Sequence, residues 1–560
     1  MGPRNPIGPV GLASLLVVVS GSVARVCAEP DALAPLMRSF DAYAQDLERL
    51  DQIWLGDRDQ VPTTPPELKA PAADALPSNS AEVGIVEQVR VDLPQAIALA
   101  VRNDPVLKMS IAGVRQQRGL LRSVQGRFYP TVSLNIGGGY DQEMNKNFAW
   151  KGNGSIPGYV PGTLPYVRSG GQNRYQTNIA AGFASLRVDY ELLSFERSAA
   201  LAEFAAELDE SNQLYGNRLR QLQLDVSEAY YRLQLAGQLK RIRQVVVMND
   251  EVILDQIEAM NTVGLVPRVD LLRAEANLQQ QRFLLEQADA NLLSRRRRLS
   301  NLVNVPFKVT LEARDEVRLQ DPWPLDLDET IVRGFRDNPQ LQALQAARSA
   351  LLRQADRQAA ELMPRLGLFA TAGYLASQSR SPLIELDGCC GAPIFVPGLN
   401  SQTGDWAAGF NLNWRLFDGG VTAGAVEASQ AAADQVLQQE AAERNAIRQN
   451  LETAFYDHRA ALGQIIASNS AYKAARVAYR DMRARYEFGL ADYTDLADTI
   501  RSLTTAMEQK ASAMTSANVS YAQLLRELLV VPRSPEKPVT LPVTLPSQSG
   551  GERVDSGVSR

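Results

Sequence analysis

The stretch LPQAIALAVRNDPVL (93–107) returns later in the chain as LDETIVRGFRDNPQL (327–341), and this recurrence decides the fold. Leu93, Ile97, Arg102, Pro105 and Leu107 fall on Leu327, Ile331, Arg336, Pro339 and Leu341 at a constant shift of 234 (327 − 93). The same shift carries Pro130 onto Pro364, Leu134 onto Leu368, Gly139 onto Gly373 and Tyr140 onto Tyr374. Further on the shift shortens. LRVDYELL (186–193) pairs with FNLNWRLF (410–417), VSEAYY (226–231) with LETAFY (451–456), and VGLVPRVDLL (263–272) with FGLADYTDLA (488–497), which sets Gly264 on Gly489 and Asp270 on Asp495. Self-similarity of this extent marks a tandem duplication. The first repeat covers 91–306, the second 325–532, and a linker of 307–324 joins them.

Each repeat has the same internal order. A helical segment (93–128, 327–362) ends before Pro130 or Pro364, where the residue preceding proline is pushed into extended backbone and a strand begins. Strands are expected at about 130–141 and 176–193, and again at about 364–376 and 405–417. Within them apolar residues alternate with polar ones: Val132, Leu134, Ile136 and Tyr140 against Ser133 and Asn135, Leu186, Val188, Tyr190 and Leu192 against Arg187, Asp189 and Glu191, and Phe410, Leu412, Trp414 and Leu416 against Asn411, Asn413 and Arg415. An apolar face alternating with a polar one over about ten residues is the pattern of a transmembrane barrel wall. The segments between paired strands are rich in Gly, Pro, Asn and Ser, as exposed loops are.

After the second strand of each repeat a long helical pattern runs to a glycine turn (Gly264, Gly489), and another helix returns to about Val305 or Val531. The leading and trailing helices, about 36 and 38 residues, together roughly match the uninterrupted one, about 68 residues or ~100 Å. A rod of that length cannot bury its apolar stripe within one chain of this size, so it packs against copies of itself. The strands lead to the same place. Four per chain fall short of the smallest closed barrels, about eight, and an open sheet edge is not tolerated in lipid.

Composition narrows the chemistry. With 45% hydrophobic and 22% charged residues and a net charge of −5 over 560 residues, the chain is neither disordered nor a nucleic-acid binder. A single histidine, His458, without clustered cysteines argues against histidine-dependent catalysis and zinc sites; no metal, cofactor or catalytic site is expected. Residues 1–28 read as a signal peptide, with an apolar run too short to span a membrane and small residues before a cleavage point after Ala28. That cleavage leaves Cys389 and Cys390, a neighbouring pair that reads as exposed thiols or a loop disulfide. Residues 29–90 combine a short helical pattern with a Pro-rich linker (PTTPPELKAPAADALP) in an N-terminal periplasmic extension. The tail, 533–560, is expected to be disordered, although PFKVTLE (306–312) and KPVTLP (537–542) resemble each other and suit a common equatorial collar. RRRR (295–298) reads as the solvated face of a helix, with an electrostatic docking patch as the alternative.

Over about 93–530 these features, in this order and twice over, resemble the TolC-like outer-membrane efflux proteins, the outer membrane factors of tripartite efflux and type I secretion systems. The motifs that carry the resemblance are the paired openings quoted above, the strand starts at Pro130 and Pro364, the junction WRLFDGG (414–420) and the G-L-x(4)-D-L tips at Gly264 and Gly489. The resemblance implies a mostly α fold with transmembrane β: a homotrimer in which each chain gives four strands to a twelve-stranded outer-membrane barrel, surrounded by lipid and continued by a periplasmic α-helical barrel. It further implies a passive, non-enzymatic exit duct for small molecules such as drugs, or for secreted proteins. The partners of such a duct are a periplasmic adaptor (membrane fusion) protein and an inner-membrane RND-type or ABC transporter. A periplasmic coiled-coil adaptor is the alternative class, but it lacks paired amphipathic strands ending in aromatics such as Tyr140 and Tyr374.

The family's gate carries over residue by residue. Asp495 and Asp498 fall where the family has the two aspartates of a constricting acidic selectivity ring, and Tyr486 and Asp270 fall where it has a closed-state network between helices. The tip turns Gly264, Leu265, Gly489 and Leu490 fall where the adaptor docks. One departure is Ala491, which stands where the family has an arginine; Arg268 and Arg273 are the candidates to replace it. Asp492, just before the last helix, reads as its N-cap.

Overall fold

The computed structural model describes residues 65–148, 172–386 and 396–545, apart from positions 73, 75, 316, 533, 537 and 538. The expected signal peptide, the extension up to 64, Cys389 and Cys390, and the tail from 546 lie outside the described residues. The elements in chain order are β1 (Glu87–Val91), α1 (Leu93–Asn103), α2 (Pro105–Gly126), β2 (Thr131–Phe148), β3 (Gln172–Leu193), α3 (Phe195–Thr262), α4 (Arg268–Val303) and β4 (Val309–Ala313). They continue as α5 (Leu327–Arg336), α6 (Pro339–Ala359), β5 (Arg365–Leu386), β6 (Val396–Asn413), α7 (Val421–Glu487) and α8 (Tyr493–Leu528). The chain divides into two compact units, one of 1–113, 212–343 and 440–560, the other of 114–211 and 344–439.

The second of these units holds a four-stranded antiparallel sheet in the order β2-β3-β5-β6. Its register aligns Val132, Val188, Ala370 and Ala408 in one row, and Leu134, Leu186, Ala372 and Trp406 in the next. Because opposed residues in a ladder share a face, these rows build one apolar surface. Val132, Leu134, Ile136, Tyr140, Trp406 and Phe410 stand exposed on it. The opposite face carries Ser133, Arg187, Thr371 and Ala407 in one row and Asn135, Ser185, Gly373 and Asp405 in the next. On that face the Arg187 guanidinium donates to both oxygens of Asp189, at 2.7 and 2.9 Å. At Gly137 the Phe183 ring packs over the backbone, with an atom 2.7 Å from where a Cβ would be, so a side chain there would displace the ring.

The strands differ from the sequence expectation at their ends. They run 18, 22, 22 and 18 residues, longer than the ten or so a tilted strand needs to cross hydrocarbon. The fourth stops at Asn413, short of the expected 417, and side-chain ties explain why. Trp414 Nε1 donates to Leu362 O at 3.0 Å, Arg415 reaches Glu361 at 3.1 Å, and Asp418 accepts from the backbone of Gly420 and Thr422 at 3.0 and 2.8 Å. Gly419 and Gly420 supply the left-handed backbone (φ 72° and 91°) that turns the chain into α7.

The leading helices are also corrected: each is two helices, broken at the proline. Asp104 caps α2 and Asn338 caps α6 at matching repeat positions, their Oδ1 atoms accepting from Leu107 N at 2.5 Å and Gln340 N at 2.9 Å. Proline at the first helical position lacks only a donor that would be unpaired anyway. Asp92 and Asp326 likewise cap α1 and α5, accepting from Gln95 N and Glu329 N at 2.8 and 2.7 Å.

In the first unit β1 and β4 pair in parallel, from Glu87↔Val309 to Val91↔Ala313, so PFKVTLE pairs with a strand from the extension that the sequence reading did not expect. The expected disorder of the tail does not hold for 541–545: Leu541 is buried, Gln223 Nε2 donates to Pro542 O at 2.5 Å, and Leu545 N donates to the Tyr521 hydroxyl at 3.1 Å. Asn518 holds the linker between repeats, donating to Arg318 O at 2.7 Å and accepting from Gln320 N at 2.9 Å. Near this joint the fully buried Arg220 guanidinium donates to Leu529 O, Glu527 O and Asp337 O at 2.5, 3.2 and 2.9 Å. These carbonyls lie at the ends of α5 and α8, where unpaired acceptors and the helix dipole favour a cation. Burial, partly offset by Glu527, pulls the Arg220 pKa down to about 10, so the group stays charged at neutral pH.

Arg220→Leu strands three buried acceptors and is expected to cost roughly 3 kcal/mol or more. Thermal unfolding followed by circular dichroism reads this as a clear fall in Tm; an unchanged Tm would show that the clamp contributes nothing.

Candidate functional site

The two glycine turns are built alike. Leu265 N donates to Met260 O at 2.9 Å and Leu490 N to Arg485 O at 2.8 Å, the six-to-one closure of a Schellman motif. Gly264 and Gly489 take φ of 79° and 71°. The turns leave Val263, Leu265, Phe488 and Leu490 exposed, an apolar cluster on each tip that nothing among the described residues covers.

Asp492 is the N-cap of α8, its Oδ1 accepting from Asp495 N at 3.0 Å. Asp495 and Asp498 follow on the first turns with both side chains exposed. Asp498 pairs with Arg501 one turn on, at 2.8 Å, whereas the Asp495 carboxylate has no side-chain partner among the described residues. The two acids therefore share a surface but differ in neutralisation.

Asp270, on the first turn of α4, has a largely buried side chain that accepts from Arg273 at 3.3 Å. The same Arg273 nitrogen reaches Thr494 Oγ1 at 3.4 Å and so ties the start of α4 to the start of α8. Of the two arginines considered in place of the residue missing at Ala491, Arg273 is the one that contacts Asp270. Tyr486 is buried, with no hydrogen-bond partner on its hydroxyl among the described residues; burial, then the nearby Asp270 charge, raises its pKa. The structure thus sets Tyr486 near Asp270 without bonding them.

Sequence reading missed the polar core above the tips. Asp250 on α3 is 5% exposed, accepts from Asn277 Nδ2 of α4 at 2.7 Å, and has no cationic partner among the described residues. Tyr479 donates to Asn249 Oδ1 at 2.9 Å, and Tyr493 lies beside Asn277. A sequence signal existed: Tyr472, Tyr479 and Tyr486 stand seven apart on one side of α7, Tyr493 repeats the interval across the turn at the start of α8, and all four are buried. Burial pushes Asp250 up to about 7 and Tyr493 up to about 12. His458 is buried too, with Nδ1 3.2 Å from Ala517 O and from Ser520 Oγ, and burial lowers its pKa. It is a neutral core residue. Among the described residues no group of three or more His, Cys, Asp or Glu is placed to hold a metal, and no helix is long and apolar enough to cross a membrane.

The model of the outer membrane efflux protein family matches residues 96–305 and 335–528, more than half of the chain. Among solved structures, the outer-membrane channel OprN aligns with a TM-score of 0.60 at 19% identity, covering 85% of this chain and 98% of that one. The outer membrane protein VceC of Vibrio cholerae aligns at 0.59 and 16% identity, over 78% of this chain and 95% of its own. The CmeC outer membrane channel of Campylobacter jejuni aligns at 0.59 and 13% identity, over 82% and 94%. At these identities the likeness is one of fold. No curated protein sequence matches the chain.

Because Asp250 is neutral when folded up to about pH 7, whereas a free aspartate ionises near pH 4, its contribution to stability is full below pH 4 and is lost as pH rises through 7. Asp250→Asn keeps an acceptor for Asn277 and removes the ionisation. It is expected to raise Tm at pH 8 more than at pH 5; an equal shift at both pH values would show that Asp250 carries no buried charge.

Proposed function

This chain belongs to the outer membrane efflux protein family, and on that premise we propose that it is a passive exit duct closed by three copies of itself and gated at its helical tips. Members of the family are outer-membrane channels rather than enzymes, with a large periplasmic helical part. The observation that carries the finer reading is the four-stranded sheet, with one apolar face and unpaired edges at β2 and β6. In hydrocarbon those edges must be paired, and a second and third copy supply the strands. The duplication supports the same closure: Tyr231 on α3 is 5% exposed, while its repeat counterpart Tyr456 on α7 is 55% exposed and awaits a neighbour.

In such a trimer Asp495 and Asp498 contribute six carboxylates around one axis, a ring that attracts cations and repels anions. Asp495, with no side-chain partner among the described residues, is the stronger contributor. The exposed Leu265 and Leu490 turns suit docking by a periplasmic adaptor, which would connect the duct to an inner-membrane RND-type or ABC transporter. The cargo is a small molecule such as a drug, or a secreted protein.

Planar-bilayer conductance tests the gate. Block of the wild-type pore by hexamminecobalt is expected to need at least about tenfold more cation after Asp495→Ala with Asp498→Ala, since each lost charge pair in a partly screened site is worth of order 1 kcal/mol. Equal block in both would place the constriction elsewhere.

A further inference from the structure

The arginine run on α4 is not a uniform solvated face. Arg296 is turned inward and paired with Glu312 of β4. Arg295 reaches only Asn291, at 3.3 Å, and Arg297 only the backbone oxygen of Phe307, at 3.5 Å. Neither these two nor Arg298 pairs with a carboxylate among the described residues. Arg297 and Arg298 line an open concavity of about 530 Å³ with Ser294, Asn301 and Leu302. Apolar residues lie beside its arginines: Leu293 one turn before Arg297, and Phe307, whose backbone oxygen Arg297 reaches; both are exposed. The surface is cationic and apolar at once, and its occupant should be acidic and apolar.

The chain holds such a segment and delivers it to this place. Leu68 O accepts from Asn103 Nδ2 at 2.9 Å, and Asn103 O accepts from Asn304 Nδ2 at 3.1 Å. Asn304 is the C-cap of α4, so the described chain starts out beside the end of the helix that carries the arginines. Upstream, Leu33, Leu36, Phe40, Tyr43, Leu47, Leu50 and Trp54 alternate in steps of three and four, the spacing of a seam that packs along another helix. Asp31, Asp41, Asp46, Glu48 and Asp51 outnumber Arg38 and Arg49 between them. The Pro-rich link from Trp54 to Leu68 spans at most ~50 Å, enough to reach the patch but not to leave it far behind. Residues 31–54 lie outside both stretches that match the family.

We propose that residues 31–54 dock along the exposed face of α4, with their apolar seam on Leu293, Leu302 and Phe307 and their carboxylates on Arg297 and Arg298. The segment thereby straps the collar formed by β1 and β4 to the end of α4.

Amide hydrogen exchange on the purified full-length protein in detergent tests this. Peptides covering 31–54 are expected to be protected in the wild type and to exchange about tenfold faster in Arg297→Glu with Arg298→Glu, the effect of losing two exposed ion pairs and gaining repulsion. Protection of β1 and β4 reports that the collar still folds. Asp46→Arg with Glu48→Arg, added to the reversed arginines, is expected to restore protection. Free-chain exchange of 31–54 in the wild type would overturn the proposal, as would protection that survives reversal of the arginines and therefore belongs to another surface or partner.

Discussion

The bare edges of β2 and β6 are the constraint on which the rest of the molecule depends. A backbone N–H or C=O cannot be left unpaired in hydrocarbon, and on each eighteen-residue edge strand the outward-pointing half of these groups has no partner among the described residues. Neither edge is blunted by the described residues, and on the proposed reading both are met by copies of the chain. Everything else follows that requirement: an apolar face turned to lipid, a polar face with its Arg187–Asp189 pair, and helices that present exposed aromatic residues where a neighbour belongs.

The duplication is how one chain serves a wall of repeated staves. Equivalent side chains do equivalent jobs at matching positions, as when Asp92 and Asp326, or Asp104 and Asn338, start the same helices. Where the two copies differ, function enters. Tyr231 is covered within the chain and Tyr456 is not; Asp270 is tied down by Arg273 while Asp495, its counterpart, is free. The joint at Arg220, with its three carbonyls satisfied, is firm. The core near the tips is instead polar, with no cation on Asp250 and no partner on the Tyr486 hydroxyl among the described residues, and such partly satisfied polar cores are the less stable parts of a fold.

Much of this was legible in the sequence because it rests on periodicity. Period-two alternation gave the faces of the strands, and the repeat gave the architecture and the position of both tips. What escaped had non-local causes. The break at Asp104–Pro105 depends on a side-chain cap that competes with a helix continuing through proline. The strand end at Asn413 depends on Trp414 and Arg415 reaching residues some fifty positions earlier in the chain. β1 is five residues within a polar, proline-rich region, and its identity as a strand comes from pairing with β4 more than two hundred residues away. Asp250 looks like any helical acid until three neighbouring helices bury it. At the candidate gate, the sequence located Asp495 and Asp498, but only the structure distinguishes the neutralised acid from the free one.

The most direct measurement is the mass of the detergent-extracted particle by native mass spectrometry. Edge pairing between copies predicts a single species of three chains that loses its β-structure when it is dissociated. A monomer that keeps the β2-β3-β5-β6 sheet intact in detergent would contradict the dependence of the whole structure on closure between chains.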